Sequence, residues 1–233
     1  MCGRFTLTAM DVHALADGLG VPVESLSFFR PRYNIAPTNE HFVVRMRLEE
    51  REALRARWGL VNSWAKDANR AARQINARSE SVDVRPAFRE AFRKRRCIVP
   101  ADGFFEWTGA KESRRPNWYH RPGSQLLLFA GLYEFWQPAA DDWQATFTII
   151  TTAANRLVSE VHDRMPVILG ADAADEWIDP RQDNLVLLKG LLAPAPDDLL
   201  VAQPVSPKLN SPKYNSPEGF AVASGQWSAV SSQ

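Results

Sequence analysis

The chain has 233 residues, of which 45% are hydrophobic and 24% are charged. This composition suits a globular protein with a sizeable core, and we predict a single domain over residues 1–233. The formal net charge is only +1, which excludes a protein coated with basic residues, so any anion-binding surface must be local.

Cysteine and histidine usage restricts the chemistry further. Cys2 and Cys97 are the only cysteines, too few for a disulfide framework, and the histidines are not spaced as zinc ligands. We therefore expect a reducing compartment, no metal and no cofactor. The residues after Met1 lack the apolar segment of a signal peptide, and the longest apolar runs are too short to span a membrane. The sequence predicts a cytoplasmic monomer without membrane attachment.

The first half of the chain predicts short strands and helices. Residues 2–7 alternate as a strand that anchors the N-terminus, and Thr8 is the expected N-cap of a helix over 9–19. The proline-containing stretch 28–38 is predicted to be an irregular loop. Further along, the pattern predicts strands over 41–48 and 50–60, a polar loop over 61–73, a helix over 85–94, strands over 96–100 and 103–108, and a hairpin tip over 111–117.

The second half contains the strongest strand candidates, because residues 126–135 and 143–152 are rich in β-branched and aromatic side chains. Helices are predicted over 155–161, 171–177 and 184–192, with a last strand over 201–205 and a tail rich in serine, proline and asparagine. The sum predicts the α+β class, in the form of a single mostly-β domain with a barrel-like mixed sheet flanked by short helices.

Cys2 directly follows Met1, and initiator methionine is commonly removed before a small residue. The mature chain would then carry an α-amine and a thiol on the same residue. The amine titrates near pH 8, so a useful fraction is nucleophilic at pH 7. Together the two groups can attack one aldehyde twice, forming a Schiff base and then a five-membered thiazolidine. Taken alone, Cys2 is more simply explained as a small residue at a frayed terminus.

Polar residues at the ends of predicted strands are the other candidates for chemistry. Asn76 offers a donor and an acceptor, and Arg78 offers a fork for phosphate, although helix capping with solvated charges is the simpler interpretation. Alternation places Glu106 on the same face as Phe104. Desolvation there would raise its pKa and let it move a proton, while a salt bridge at the strand edge is an equal alternative.

A second group combines titratable and basic side chains with aromatics. His162 can polarise or protonate an oxygen near neutral pH, and Arg164 can bind phosphate, although a capping histidine beside an Asp–Arg pair explains the same residues. Arginine or lysine also recurs near tryptophan elsewhere, which is typical of single-stranded nucleic-acid binding. Scattered surface charges remain the alternative.

Several segments together resemble the SOS response-associated peptidase family, whose members are also described as abasic-site processing proteins. In chain order they are MCGRF at 1–5, YNIAPT at 33–38, WGL at 58–60, INARSE at 75–80, RRCIVPADGFFEW at 95–107, FAGL at 129–132, TIITTAAN at 148–155 and HDRMPVIL at 162–169. Each segment alone is weak, but the ordered set is specific and covers most of the chain up to about residue 207.

The resemblance implies an enzyme of the SOS DNA damage response that binds single-stranded DNA. It implies a thiazolidine crosslink between Cys2 and the ring-opened aldehyde of an abasic site, after self-directed peptidase removal of Met1, with lyase activity through the Schiff base. Asn76 would hold the Cys2 region, Glu106 would shuttle protons and His162 would polarise the sugar oxygen. The DNA contacts it implies are Gly3, Arg4, Trp64, Arg78, Trp107, Thr151 and Arg164.

Two other classes stay open from the sequence. Glutamine amidotransferases of class II also begin with Cys-Gly after methionine removal and use the N-terminal amine as the base for their thiol. A non-catalytic single-stranded DNA-binding module would show salt-sensitive binding without any adduct. The segment after about residue 207 matches the family poorly, and the sequence assigns it no role.

Overall fold

β-Strands form most of the regular structure in the computed structural model, which describes residues 2–69 and 71–220. The α-helices are α1 (Val12–Leu19), α2 (Arg89–Lys94), α3 (Arg156–Ser159), α4 (Ala171–Ile178) and α5 (Leu185–Gly190). The strands are β1 (Phe5–Leu7), β2 (Arg32–Ile35), β3 (Glu40–Arg47), β4 (Glu50–Trp58), β5 (Asn76–Arg78), β6 (Arg96–Ala101), β7 (Gly103–Thr108), β8 (Arg115–His120), β9 (Leu127–Ala139), β10 (Asp142–Ala153), β11 (Arg164–Pro166), β12 (Ile168–Leu169) and β13 (Val201–Pro204).

Five strands close into a barrel in the order β10-β4-β3-β6-β9, because β9 also pairs with β10. The sheet is mixed, since β10 runs parallel to β4 and β5 but antiparallel to β9 and β11. Its interior is filled by large side chains such as Trp58, Phe129 and Phe147, all fully buried. The α+β class and the mostly-β, barrel-like architecture predicted from the sequence are confirmed.

A second sheet packs beside the barrel in the order β13-β8-β7-β1-β2. Strand β1 lies inside this sheet, with Phe5 opposite Phe104 of β7 on one side and Ile35 of β2 on the other. The Phe5 ring also contacts Trp58 of the barrel at a centroid distance of 5.0 Å. The N-terminal strand therefore joins the two sheets.

Two local predictions in the first half were wrong. The stretch 28–38 is not entirely irregular, because β2 forms within it by pairing with β1, which a local pattern cannot reveal. The N-cap of α1 is Asp11, whose carboxylate accepts from the backbone N–H groups of His13 and Ala14. Thr8 is unavailable for capping because its N–H and hydroxyl both donate to Asp102, each at 2.6 Å.

Several short strands also escaped the sequence pattern. β8 begins at Arg115, inside the predicted hairpin tip, while β5, β11 and β12 are only two or three residues long. The three shortest of these strands are stabilised by pairing with a long strand rather than by their own composition, since β5 and β11 pair with β10 and β12 pairs with β9. Among the described residues, no helix is both long and apolar enough to cross a membrane.

Candidate active site

Cys2 is fully buried just before the N-terminal end of β1. The Phe105 N–H donates to the Arg4 carbonyl at 3.0 Å, which continues the β1–β7 register beyond Phe5. The segment carrying Cys2 therefore runs alongside the part of β7 that contains Glu106. From the opposite side, Asn76 Nδ2 donates to the Cys2 carbonyl at 2.8 Å. Met1 lies outside the described residues.

Asp102 fixes the strand that carries Cys2. It occupies the tight turn between β6 and β7 and is almost fully buried. One of its oxygens accepts from the Thr6 hydroxyl at 2.5 Å, while the other accepts from the N–H and hydroxyl of Thr8. Charge-assisted hydrogen bonds of this kind are the strong ones, so β1 has little freedom to move and Cys2 is held at a defined position.

Glu106 is only 5% exposed and lies on the face of β7 that also presents Phe104. Burial raises its pKa to about 7, and the nearby charge of Asp163 acts in the same direction. Burial likewise raises the pKa of the Cys2 thiol, with a further contribution from Glu106. At neutral pH the thiol is therefore protonated, whereas Glu106 is poised to gain or lose a proton.

Strand β10 brings the polar residues of the second half beside this cluster. Asn76 is in register with Ile149, and Arg78 is in register with Thr151. On its other side, β10 pairs with β11, which begins at Arg164. Thr151 is fully buried between these neighbours, whereas Arg78 is exposed. The ends of three adjacent strands thus converge on one region.

His162 immediately precedes β11, with 30% of its side chain exposed. Its Nδ1 accepts a hydrogen bond from the Arg164 N–H at 2.9 Å. Burial lowers the pKa of the ring, so the imidazole is neutral at pH 7. Because Nδ1 acts as the acceptor, the proton of the neutral ring lies on Nε2, which can donate to a ligand. Nδ1 also lies 3.0 Å from Asp163 Oδ1, a contact that becomes attractive once the ring is protonated.

Arg164 is held in place by other protein groups. Its guanidinium forms a two-point ion pair with the Glu80 carboxylate, at 2.5 and 2.9 Å, and donates to the Thr151 carbonyl at 2.6 Å. The side chain is nearly buried, while that of Glu80 is 56% exposed. Glu80 lies in the family segment INARSE at 75–80, but the sequence assigned it no role, because its partner is 84 positions away.

Arg4 and Trp107 form a second cationic and aromatic group. The Arg4 guanidinium lies over the Trp107 ring at 5.7 Å and donates to Asn34 Oδ1 at 2.9 Å. Trp107 Nε1 donates to Asn210 Oδ1 at 2.8 Å. Neither asparagine was assigned a role from the sequence. The available signal for Asn34 was its place in the family segment YNIAPT at 33–38.

The remaining predicted site residues differ in their surroundings. Gly3 is half-buried between Cys2 and Arg4. Trp64 lies on a separate loop, is 68% exposed and borders a cleft of about 580 Å³. That cleft is also lined by Lys66, Arg73 and Arg85. Among the described residues, no group of three or more His, Cys, Asp or Glu side chains could hold a metal ion.

Comparison with known proteins places this chain in a family. Residues 1–212 match the model of the family described as SOS response associated peptidase. The chain therefore belongs to the SOS response-associated peptidase family, as the sequence segments indicated.

Individual relatives agree with this assignment. The chain is 38% identical to a Bacillus subtilis protein named abasic site processing protein YoaM, over 94% of this chain and 96% of the relative. It is 37% identical to abasic site processing protein YoqW of the same organism, over 94% and 98%. The crystal structure of a Bacteroides thetaiotaomicron protein superposes with a TM-score of 0.83 at 25% identity, covering 95% of this chain and 100% of that one.

Proposed function

We propose that this protein processes abasic sites in single-stranded DNA by forming a covalent crosslink. In the proposed reaction, Cys2 forms a thiazolidine with the ring-opened sugar after removal of Met1. The observation that carries the proposal is the position of Cys2, buried between the Asn76 amide and the Glu106 carboxyl. The relatives named as abasic site processing proteins support it. One chain supplies every proposed residue, so a monomer suffices.

The proposed reaction begins at the amine, because the buried thiol stays protonated at neutral pH. The neutral α-amine of Cys2 adds to the aldehyde carbon, and loss of water gives a Schiff base. The thiol then gives its proton to Glu106, the sulfur adds to the imine carbon, and the nitrogen takes up a proton as the ring closes. Loss of a C2′ proton from the Schiff base with departure of the 3′ phosphate, before ring closure, forms a C2′–C3′ double bond and would account for lyase activity.

The other residues prepare the two reactants. Asn76 holds the Cys2 carbonyl and thereby orients the residue that carries both nucleophiles. His162 donates from Nε2 to the sugar oxygen, which favours opening of the furanose ring to the aldehyde. Glu106 also assists the removal of Met1 by moving a proton. Gly3, between Cys2 and Arg4, lets the DNA backbone approach closely.

The proposed DNA path follows the cationic residues around Cys2. Arg78 is exposed and free to meet a phosphate, with Thr151 beside it in register. Arg164 contributes positive charge to the same region while its orientation is fixed by Glu80. Arg4 and Trp107 extend the path on the other side of Cys2, where the indole edge adds an apolar wall.

Trp64 is the proposed stacking platform for a base next to the abasic site. Trp64→Ala is expected to weaken binding of single-stranded DNA by about 5- to 100-fold, since base stacking on an aromatic residue contributes about 1–3 kcal/mol. Fluorescence anisotropy with a labelled oligonucleotide measures the change. Trp143→Ala is the matched control, because that tryptophan is similarly exposed, at 62%, but lies in the β9–β10 hairpin. Equal affinities for the two variants would remove Trp64 from the path.

A denaturing gel tests the proposed function directly. Purified protein is incubated with single-stranded oligonucleotides that carry an abasic site or an intact base, then heated before electrophoresis. A heat-stable adduct with the abasic oligonucleotide alone is the expected result. Salt-sensitive binding to both oligonucleotides without an adduct would favour a non-catalytic DNA-binding module. Release of ammonia from glutamine would favour an amidotransferase-like hydrolase.

A further inference from the structure

We propose that Asn34 and the turn Pro207–Asn210 form a cradle that presets the Arg4 guanidinium for a two-point contact with one phosphate of single-stranded DNA. This inference rests on the function proposed above and gives a role to a segment that the sequence left without one. Asn34 then acts as a positioning residue, since it works through Arg4 and does not itself touch the DNA.

Asn34 is the centre of the cradle. Its side chain is only 1% exposed, and its Nδ2 donates to the carbonyls of Leu209, Ser211 and Tyr214 at 3.2, 3.0 and 2.9 Å. The amide orientation is fixed by these acceptors, so Oδ1 must face Arg4 Nη1, 2.9 Å away. One buried amide thus connects the N-terminal arginine to the C-terminal turn.

The hydrogen-bond donors of Arg4 indicate which edge remains for a ligand. A guanidinium has five N–H donors in a fixed plane. Nη1 donates to Asn34 Oδ1 and to the Leu209 carbonyl at 3.2 Å, while Nη2 donates once, to the Asn210 carbonyl at 3.3 Å. Within the described part of the chain, this leaves the Nε–H and one Nη2–H, and the atoms Nε and Nη2 share one edge of the guanidinium plane. That pair of donors matches two oxygens of one phosphate.

Charge points to the same ligand. Every acceptor that holds Arg4 is a neutral carbonyl or amide oxygen, and no carboxylate among the described residues pairs with it. Arg164 differs, because the Glu80 carboxylate compensates its charge. A partly desolvated guanidinium without a counter-charge favours an anion at its open edge. The Trp107 ring, 5.7 Å away, covers one face and directs the anion to that edge.

The cradle is anchored independently of Arg4. Strand β13 pairs with β8, and the Val205 N–H donates to the Pro116 carbonyl at 3.1 Å just before the turn. Leu209 is fully buried in a small apolar cluster with Phe105 and Trp118. The carbonyls that hold Arg4 are therefore fixed by packing, so the arginine is ordered before DNA arrives and loses little entropy on binding.

Salt dependence of binding is the test, because it counts phosphate contacts. The probe is a single-stranded oligonucleotide with a tetrahydrofuran abasic analogue, which lacks the aldehyde and cannot form an adduct. Arg4→Gln and Asn34→Ala are each expected to weaken binding about tenfold and to reduce the slope of log K against log[salt] by about 0.7, the value for one phosphate on a single strand. The double variant is expected to lose no more affinity, and no more of the salt slope, than Arg4→Gln alone.

Asn39→Ala is the matched control. Asn39 lies between β2 and β3, is half-buried, and its Oδ1 accepts from Arg32 Nη2 at 3.0 Å and from the Ala36 N–H at 3.1 Å, so the same substitution releases a different arginine. Its salt slope is expected to equal that of the wild type. Asn34→Asp keeps the side-chain volume should the alanine variant fail to fold. Because its carboxylate neutralises Arg4 and cannot donate to the carbonyls, Asn34→Asp is expected to show the same reduction in slope as Asn34→Ala.

A wild-type slope in both Asn34 variants would overturn the cradle, even if their melting temperatures fell. The same would follow if Asn39→Ala changed the slope as much as Asn34→Ala. Failure of the proposed crosslinking function is distinguishable from failure of the cradle, because the crosslinking function is tested on the wild type alone. In that case the wild-type protein forms no adduct with the aldehyde-containing abasic oligonucleotide, whatever the Asn34 variants do.

Discussion

Cys2→Ala is expected to abolish the heat-stable adduct with abasic single-stranded DNA, a loss limited only by the detection limit of the gel. The variant keeps an N-terminal amine but has no sulfur to close the ring, so any Schiff base that forms remains hydrolysable. Cys2→Ser is expected to give strand cleavage through the same Schiff base without a stable adduct. Both variants are checked by denaturing electrophoresis after heating, with intact mass measured first to establish that Met1 is absent.

Cys97→Ala provides the matched control for Cys2. Cys97 is a free, fully buried cysteine in β6, and burial raises its pKa as it does for Cys2. It lies in the barrel core, away from Asn76, so its substitution is expected to leave adduct yield unchanged. A Cys2→Ala protein that crosslinks as well as the wild type would disprove the thiazolidine. Loss of the adduct in Cys97→Ala would contradict the assignment of the reaction to the sulfur of Cys2.

Glu106→Gln is expected to slow adduct formation by about 10²- to 10⁴-fold, the usual contribution of a positioned acid–base group. In the wild type, the rate should rise between pH 6 and pH 8, because Glu106, with a pKa of about 7, must be ionised to accept the thiol proton. The α-amine must also lose its proton in this range. In the variant only the dependence on the amine should remain. Single-turnover rates at several pH values measure both effects.

The free energy of unfolding of the wild type should fall over the pH range in which its crosslinking rate rises. The pKa of Glu106 rises from 4.5 to about 7 on folding, so between these values the folded state binds more protons than the unfolded state. Wild-type stability therefore falls as pH rises through this window and stays low above it. Because glutamine never ionises, the free energy of unfolding of Glu106→Gln should exceed that of the wild type by on the order of 3 kcal/mol at pH 8 and match it near pH 4. Urea unfolding at the two pH values measures this difference.

Glu134→Gln is the control for the crosslinking rate. Glu134 is as buried as Glu106, and burial raises its pKa too, but its carboxylate is paired with Arg95. Its substitution should leave the crosslinking rate unchanged, so a slower rate in Glu106→Gln would not be a general effect of replacing a buried carboxylate. An unchanged rate in Glu106→Gln would show that Glu106 carries no proton in the reaction. A variant no more stable than the wild type at pH 8 would show that burial does not disfavour the ionised carboxylate.

The predictable part of the fold lies in its long strands. β9 and β10 follow from their β-branched and aromatic composition, and alternation along β7 places Glu106 on the same face as Phe104. β2 and β5 did not follow, since each exists only because a partner strand lies beside it. Composition describes a segment's own preference, whereas a three-residue strand depends on its neighbours.

The candidate site, like the fold, contains residues that local sequence indicates and residues whose role depends on distant partners. Cys2, Asn76, Glu106 and His162 were predicted as site residues because family segments carry them along the chain. Asn34 and Glu80 lie in family segments too, but no role was predicted for them, because their partners, Arg4 and Arg164, are distant in sequence. A side chain's chemical type can be read from the sequence, but the acceptor that fixes it depends on tertiary structure.

The contact between Arg4 and the Asn210 carbonyl has a consequence for biosynthesis. The two residues are separated by 206 positions, so the guanidinium cannot be secured until almost the whole chain has left the ribosome. The N-terminal segment that carries Cys2 therefore reaches its final arrangement only after residues 207–210 have been made and have packed against it.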